Sequence, residues 1–177
     1  VHLRRQRQMC IRDRIYDYSV LAGSQGFFHH QKLDRICEKA EEFSLPVVIF
    51  TEGGGGRPGD TDVTTQIAGL HIPSFSTWAR LTGKCLKIAV NNGYCFAGNA
   101  VLFGCSDFMI ATKQSWIGMA GPAMIEGGGL GVYDPKEIGP AEEQYKNGVL
   151  DYLAEDEKDA TFIAKKLLSY FQGNLSD

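Results

Sequence analysis

Two turns carry the residue types from which a reaction centre can be built out of backbone alone. The first is Thr51-Glu52-Gly53-Gly54-Gly55-Gly56-Arg57-Pro58-Gly59-Asp60, directly after the apolar run Pro46-Val47-Val48-Ile49-Phe50. The second is Ala97-Gly98-Asn99-Ala100, which follows the run Leu86-Lys87-Ile88-Ala89-Val90 through Asn91 to Phe96. Consecutive glycines leave the main chain bare, so its N–H groups can face a small anion or a polarised carbonyl. One donor from each turn would make an oxyanion hole, and removing one such donor costs ~100- to 1000-fold in rate. The competing reading is that the glycines serve only tight turns and close packing. The pattern by itself does not choose between the two.

Side-chain candidates are fewer. Glu52, Asp60, Asp62 and Glu126 are carboxylates in glycine-rich loops, suited to general-base work but more commonly found capping turns and helices. His29 and His30 open a helical stretch with no carboxylate or further histidine at metal spacing, so no bound metal is expected. Gly54-x-Gly56-x-x-Gly59 satisfies the dinucleotide pattern. However, Pro58 interrupts it, and Asp60 and Asp62 would set two carboxylates against the pyrophosphate. Neither a phosphate-binding Walker sequence nor the Gly-x-Ser-x-Gly or His-Glu-x-x-His pattern is present.

The elements that must position these turns alternate. Asp17–Leu21 reads as a strand, turned by Ala22-Gly23-Ser24-Gln25-Gly26 into a helix over Phe27–Phe43 with apolar residues near helical period. Pro46–Phe50 is a buried strand. A helix over Val63–Leu81, interrupted near Pro73, follows the glycine loop. Leu86–Val90 is the next strand, and a short helix runs from the second turn to Cys105. Asp107–Ala111 and Ser115–Gly118 are strands, Met119–Tyr133 a loop with five glycines, Gly148–Leu153 a strand. In the final helix, Glu155–Phe171, one face carries Ala160, Ile163, Ala164, Leu167, Leu168 and Phe171. Strands alternating with helices predict an α/β fold, with ligands beyond the carboxyl ends of the strands.

The 177 residues amount to one domain, large enough to bury a core without staples. A net charge of −3 with no basic stripe in the body argues against nucleic acid. Five cysteines without a C-x-x-C pair suit reduced thiols in the cytoplasm. No apolar run approaches the ~18 residues a membrane span needs. Val1–Arg14 is arginine-rich without hydrophobic period. It reads as translated sequencing-adapter sequence, disordered and outside the fold, with a basic targeting peptide as the rival. Residues 15–172 form the domain, and 173–177 read as the start of a linker in a truncated chain.

Ala89-Val90-Asn91-Asn92-Gly93-Tyr94-Cys95-Phe96-Ala97-Gly98-Asn99-Ala100, followed by Cys105-Ser106-Asp107, resembles the signature of the crotonase superfamily. Val20 to Gly26, Glu52 to Asp62, Ile117 to Gly129 and Ser169-Tyr170-Phe171 are similar to the acyl-CoA carboxylase carboxyltransferase family. The likeness is to the N-terminal half of the acetyl/propionyl-CoA carboxylase β-type subunit. That resemblance implies a ClpP/crotonase-like spiral of ββα units. It implies an enzyme moving CO2 from carboxybiotin, carried on a partner domain, to the α-carbon of acetyl- or propionyl-CoA through an oxyanion-stabilised enolate. It carries the catalytic positions onto Gly54, Gly55, Ala97 and Gly98, and acyl-CoA binding onto Gly53, Gly56, Arg57, Gly121 and Pro122. The implied partners are a carboxyltransferase C-terminal half, biotin carboxyl carrier and biotin carboxylase domains, in a homo-oligomer. Without its second half the chain is expected to be inactive. Asn99 departs from the glycine run common at that position. Two alternatives stay open: a single-domain enoyl-CoA hydratase or isomerase with Glu126 as its acid or base, and a non-catalytic CoA-binding half.

Overall fold

The computed structural model describes residues 16–57 and 72–171. The expectations for Val1–Arg14 and for 173–177 lie outside the described residues. So do Asp60, Asp62 and residues 63–71 of the helix expected over Val63–Leu81.

A parallel sheet of four strands is the frame. Its order is β1 (Val47–Phe50), β2 (Lys87–Asn91), β4 (Phe108–Thr112), β6 (Tyr152–Ala154). Register runs through Ile49, Ala89 and Met109, and through Ala111 and Leu153. Side chains alternate across this sheet, as the pleat requires. Ile49, Ala89 and Ala111 point to one core, with Leu33, Trp78, Leu102 and Phe103. Val48, Ile88, Val90 and Ile110 point to a second core, with Ala160, Ala164, Leu167 and Leu168. Burial on both faces explains why these strands read as continuous apolar runs.

Helices α1 (Phe27–Phe43), α2 (Ser74–Arg80) and α3 (Gly98–Gly104) supply the first core. Trp78 is fully buried there and its Nε1 donates to the Leu102 carbonyl at 3.0 Å, which ties α2 to α3. A second parallel sheet has two strands, β3 (Tyr94–Phe96) and β5 (Trp116–Gly118). After it come α4 (Pro122–Gly127) and α5 (Ala141–Lys146). The last helix, α6 (Glu157–Tyr170), begins at Asp156, whose side chain accepts from Asp159 N at 2.8 Å. Each of Leu167 and Leu168, both about 5% exposed, contributes roughly 1.5–3 kcal/mol by leaving water.

Four expectations change. No strand forms over Asp17–Leu21: Leu21 and Ala22 take φ of 49° and 54°, inside a 3-10 turn, Leu21–Gly23. The reason is contact with the glycine loop. Gly54 N donates to the Ala22 carbonyl, and a Cβ on Gly23 would lie 2.7 Å from the Glu52 carbonyl. The Met119–Tyr133 loop contains α4, started by Pro122 in the first helical turn, where its fixed φ fits. The strand expected over Gly148–Leu153 starts later and ends one residue further on, at Tyr152–Ala154, because Gly148 turns with φ 75°. Phe171, expected on the buried face of the last helix, is 57% exposed, just past the end of α6.

Cys37, Cys85 and Cys95 are buried and Cys105 is exposed. Burial pushes the Cys95 thiol up to about 12 and raises that of Cys85. Thiolate is the reactive species. Among these four thiols, a maleimide at neutral pH is therefore expected to label Cys105 alone in the native protein, read by mass after digestion. Equal labelling of Cys95 would contradict the packing of β3.

Candidate functional site

The chain passes from the first sheet to the second through a buried polar hinge. Thr51 Oγ1 lies 3.2 Å from Asn91 Oδ1, Asn91 Nδ2 donates to the Gly93 carbonyl at 2.8 Å, and Ser115 Oγ donates to the Asn91 carbonyl at 3.0 Å. Thr112 Oγ1 donates to Asn92 Oδ1 at 2.8 Å. Thr51, Asn91 and Ser115 are fully buried. The bonds to Gly93 and Asn91 satisfy main-chain carbonyls where the strand ends, and together the four fix the direction in which Gly53 and β3 leave the first sheet.

The glycine loop then becomes a strand-like edge of the second layer. Gly53 N donates to the Tyr94 carbonyl at 2.7 Å and Phe96 N donates to the Gly53 carbonyl at 2.8 Å. On the other side Gln25 N donates to the Gly55 carbonyl and Arg57 N to the Gln25 carbonyl, at 2.7 and 2.9 Å. So clamped, the loop meets the turn between β3 and α3. A Cβ on Gly55, where φ is 92°, would lie 2.6 Å from Ala97 Cβ and 3.3 Å from Gly98 N. Ala97 itself holds φ 50° and ψ −121°, a conformation that costs a non-glycine residue about 1–3 kcal/mol and clusters at functional sites. The two turns read from the sequence do converge.

Which N–H groups remain available is a narrower matter. Gly54 N donates to the Ala22 carbonyl at 2.9 Å, Gly55 N to Asn99 Oδ1 at 3.1 Å, and Ala97 N to the Gly118 carbonyl at 3.1 Å. The N–H groups of three of the four expected catalytic positions, Gly54, Gly55 and Ala97, are thus engaged inside the protein. Gly98 N has no acceptor among the described residues, and within the loop Gly56 N has none. Gly98 also abuts Gln25: a Cβ there would lie 2.7 Å from Gln25 Oε1, a buried atom with no hydrogen-bond partner among the described residues.

The expected substrate-binding residues divide. Gly53 packs so closely against Asn99 and the Gly23 carbonyl that any side chain would collide. Gly56 is exposed. Arg57 is buried and donates to Ser24 through Nε at 3.1 Å and Nη2 at 3.2 Å, so its guanidinium fastens the loop to the segment before α1. Gly121 and Pro122 open α4, with Gly121 against the Phe96 ring at 3.5 Å from where its Cβ would be. Phe96 in turn leads into Ala97, so the Gly121–Pro122 turn borders the same junction.

No carboxylate among the described residues converges on Gly98. Glu52 accepts from Asn92 N at 2.6 Å, and burial holds its carboxyl above the ordinary 4.5. Glu126 is exposed on α4. For Glu52 a raised value means that the folded state holds the proton more tightly than the unfolded chain does. The stability this contributes is full below the ordinary carboxylate range and is lost as pH rises through the raised value. Glu52→Gln, which keeps an acceptor for Asn92, is therefore expected to raise the thermal midpoint at pH 8, with the gain closing toward pH 4. A gain independent of pH would contradict the assignment. No group of His, Cys, Asp or Glu among the described residues is arranged to hold a metal ion, and no helix among them is long and apolar enough to cross a membrane.

Asn99 is the residue whose part sequence reasoning missed. Its replacement of a small residue in the second turn was the available signal.

Residues 8–176 match the carboxyl transferase domain family. The chain is 54% identical, with a TM-score of 0.83, to a single-chain, multi-domain long-chain acyl-CoA carboxylase, covering 92% of this chain and 16% of that one. It is 30% identical over 159 residues to the methylmalonyl-CoA carboxyltransferase 12S subunit of Propionibacterium freudenreichii subsp. shermanii, covering 89% of this chain and 30% of that protein. A transcarboxylase 12S structure with hydrolysed methylmalonyl-CoA bound, described as a hexamer assembly, superposes with a TM-score of 0.72 at 28% identity. That match covers 87% of this chain and 30% of that one. The chain thus spans less than a third of the length of each of these relatives.

Proposed function

The chain belongs to the carboxyl transferase domain family, of crotonase-like fold, and on that premise we propose that it is the acyl-CoA-holding half of a biotin-dependent acyl-CoA carboxylase's carboxyltransferase. The single observation that carries this reading is the junction at Gly55 and Ala97. There, two turns from different strands meet, and the Gly98 N–H has no acceptor among the described residues. An N–H so placed suits a thioester carbonyl oxygen, whose charge grows as the α-carbon becomes an enolate.

A carboxylated biotin, delivered on a partner domain, supplies the CO2 and the base in this chemistry. The donor set fits it, since the described residues offer backbone N–H groups at the junction and no carboxylate of their own. Gly98 N–H is the donor from the second turn, and Gly56 N–H is the loop's remaining candidate. Gly54, Gly55 and Ala97 build the junction through their own bonds and close packing. Gly121 and Pro122 border the acyl-CoA, with acetyl- or propionyl-CoA as substrate. Gly53 and Arg57 shape the loop that receives it. The α-proton leaves and a carbon–carbon bond to CO2 forms, with the same oxygen held throughout. The same reading puts the protein in the cytoplasm as a homo-oligomer, completed by a C-terminal carboxyltransferase half and by biotin carboxylase and biotin carrier domains.

The test joins the chain to such a C-terminal half and supplies carboxylated biotin carrier with acyl-CoA. Carboxyacyl-CoA is expected, together with no hydration of enoyl-CoA. Hydration by the chain alone would favour the hydratase, and CoA binding without transfer a non-catalytic half.

A further inference from the structure

Asn99 departs from the small residues around it and is fully buried one position past the Gly98 donor. Its Oδ1 accepts from Gly55 N at 3.1 Å and its Nδ2 donates to the Glu52 carbonyl at 3.4 Å. The amide orientation follows from chemistry: an N–H must face oxygen, and a carbonyl must face nitrogen. Both partners lie in the glycine loop, while Asn99 belongs to the first turn of α3. One side chain therefore spans the two halves of the junction, 44 residues apart in sequence at Gly55. No main-chain hydrogen bond between the loop and α3 duplicates it among the described residues: Gly53 pairs with β3, Gly54 with Ala22 and Gly55 with Asn99.

We propose that Asn99 is a positioning residue, which locks the glycine loop to the first turn of α3 and so fixes where the Gly98 and Gly56 N–H groups stand relative to one another. It also occupies the Gly55 N–H, leaving Gly56 as the only glycine of the four with an unengaged donor among the described residues. The catalytic part of this proposal rests on the carboxyltransferase reading; the lock itself does not.

Amide exchange followed on the chain and kinetics followed on the assembled carboxyltransferase separate the two. In Asn99→Ala the Gly55 amide should exchange on the order of tenfold faster, the equivalent of one lost hydrogen bond, while α6 amides keep their rates. The kcat for carboxyl transfer should fall about tenfold or more with KM for acyl-CoA within about twofold, since a misplaced donor weakens the transition state more than binding. A general loss of stability would speed exchange in α6 as well. Asn99→Asp serves if the alanine variant does not fold. It keeps an oxygen toward Gly55 and so the slow Gly55 exchange, but loses the donor to Glu52 and adds charge beside the oxyanion, so kcat should still fall. Unchanged Gly55 exchange in Asn99→Ala overturns the lock. Faster exchange with unchanged kcat, or an Asp variant of full activity, overturns its catalytic consequence. If the unsubstituted assembly transfers no carboxyl group, the carboxyltransferase reading fails, and Gly55 exchange alone then decides the lock.

Discussion

Gly55→Ala is expected to lower carboxyl transfer at least ~100-fold, the effect of displacing reacting groups by about an ångström. The new Cβ would sit 2.6 Å from Ala97 Cβ, a separation that packed carbons do not tolerate, and φ of 92° strains any side chain there. The two turns must part, and with them the glycine loop and Gly98 N. Because the clash is with one named atom, it has a specific remedy. Ala97→Gly deletes that Cβ and also relieves the residue's own φ of 50°. The double variant should recover part of the lost activity, about tenfold, with the remaining deficit reflecting strain at residue 55. Steady-state kinetics of the four proteins of this cycle provide the check. Additive losses in the double variant would show that the turns do not meet as described. Gly56→Ala, by contrast, meets nothing within 4 Å and should retain stability.

Trp78→Ala should destabilise the fold by about 3–5 kcal/mol, the usual cost of emptying a buried aromatic site. Against a total of roughly 5–15 kcal/mol, that leaves a substantial unfolded fraction in mild urea. Trp78 is fully buried in the first core, and its Nε1 satisfies the Leu102 carbonyl within α3. Trp78→Phe keeps most of the packing and loses the hydrogen bond, so a smaller loss of about 1–3 kcal/mol is expected. Urea midpoints measure both. Equal losses in the two variants would mean that the hydrogen bond, rather than packing, dominates at this position.

The large elements were legible because each is long enough to show a period. Phe27–Phe43 and Glu157–Tyr170 repeat apolar residues at helical spacing, and Val47–Phe50, Lys87–Asn91 and Phe108–Thr112 are apolar because both sheet faces are covered. The second sheet was harder. Ser115–Gly118 was expected as a strand, but its partner Tyr94–Phe96 is three residues long and follows Asn-Asn-Gly, so it carries no readable alternation. Residues 17–21 misled because apolar content suggested a strand, while contact with Glu52 and Gly54 imposed positive φ. At the site, glycine spacing marked both turns. It could not say which N–H groups are spare, because that depends on Ala22, Gly118 and Asn99 supplying acceptors from elsewhere in the chain. Arg57 shows the same limit: a cation after a glycine loop suggests a ligand contact, and its guanidinium is bonded to Ser24.

The claim on which the account stands is that the junction at Gly55 and Ala97 receives the thioester oxygen of an acyl-CoA. A crystal structure of the assembled carboxyltransferase with a stable acyl-CoA analogue tests it most directly. The account predicts the carbonyl oxygen within about 3.2 Å of Gly98 N, the range of a good N–H···O bond, with the Gly55 N–H still held by Asn99. An analogue bound with its carbonyl away from the two turns, and Gly98 N facing solvent, would contradict it.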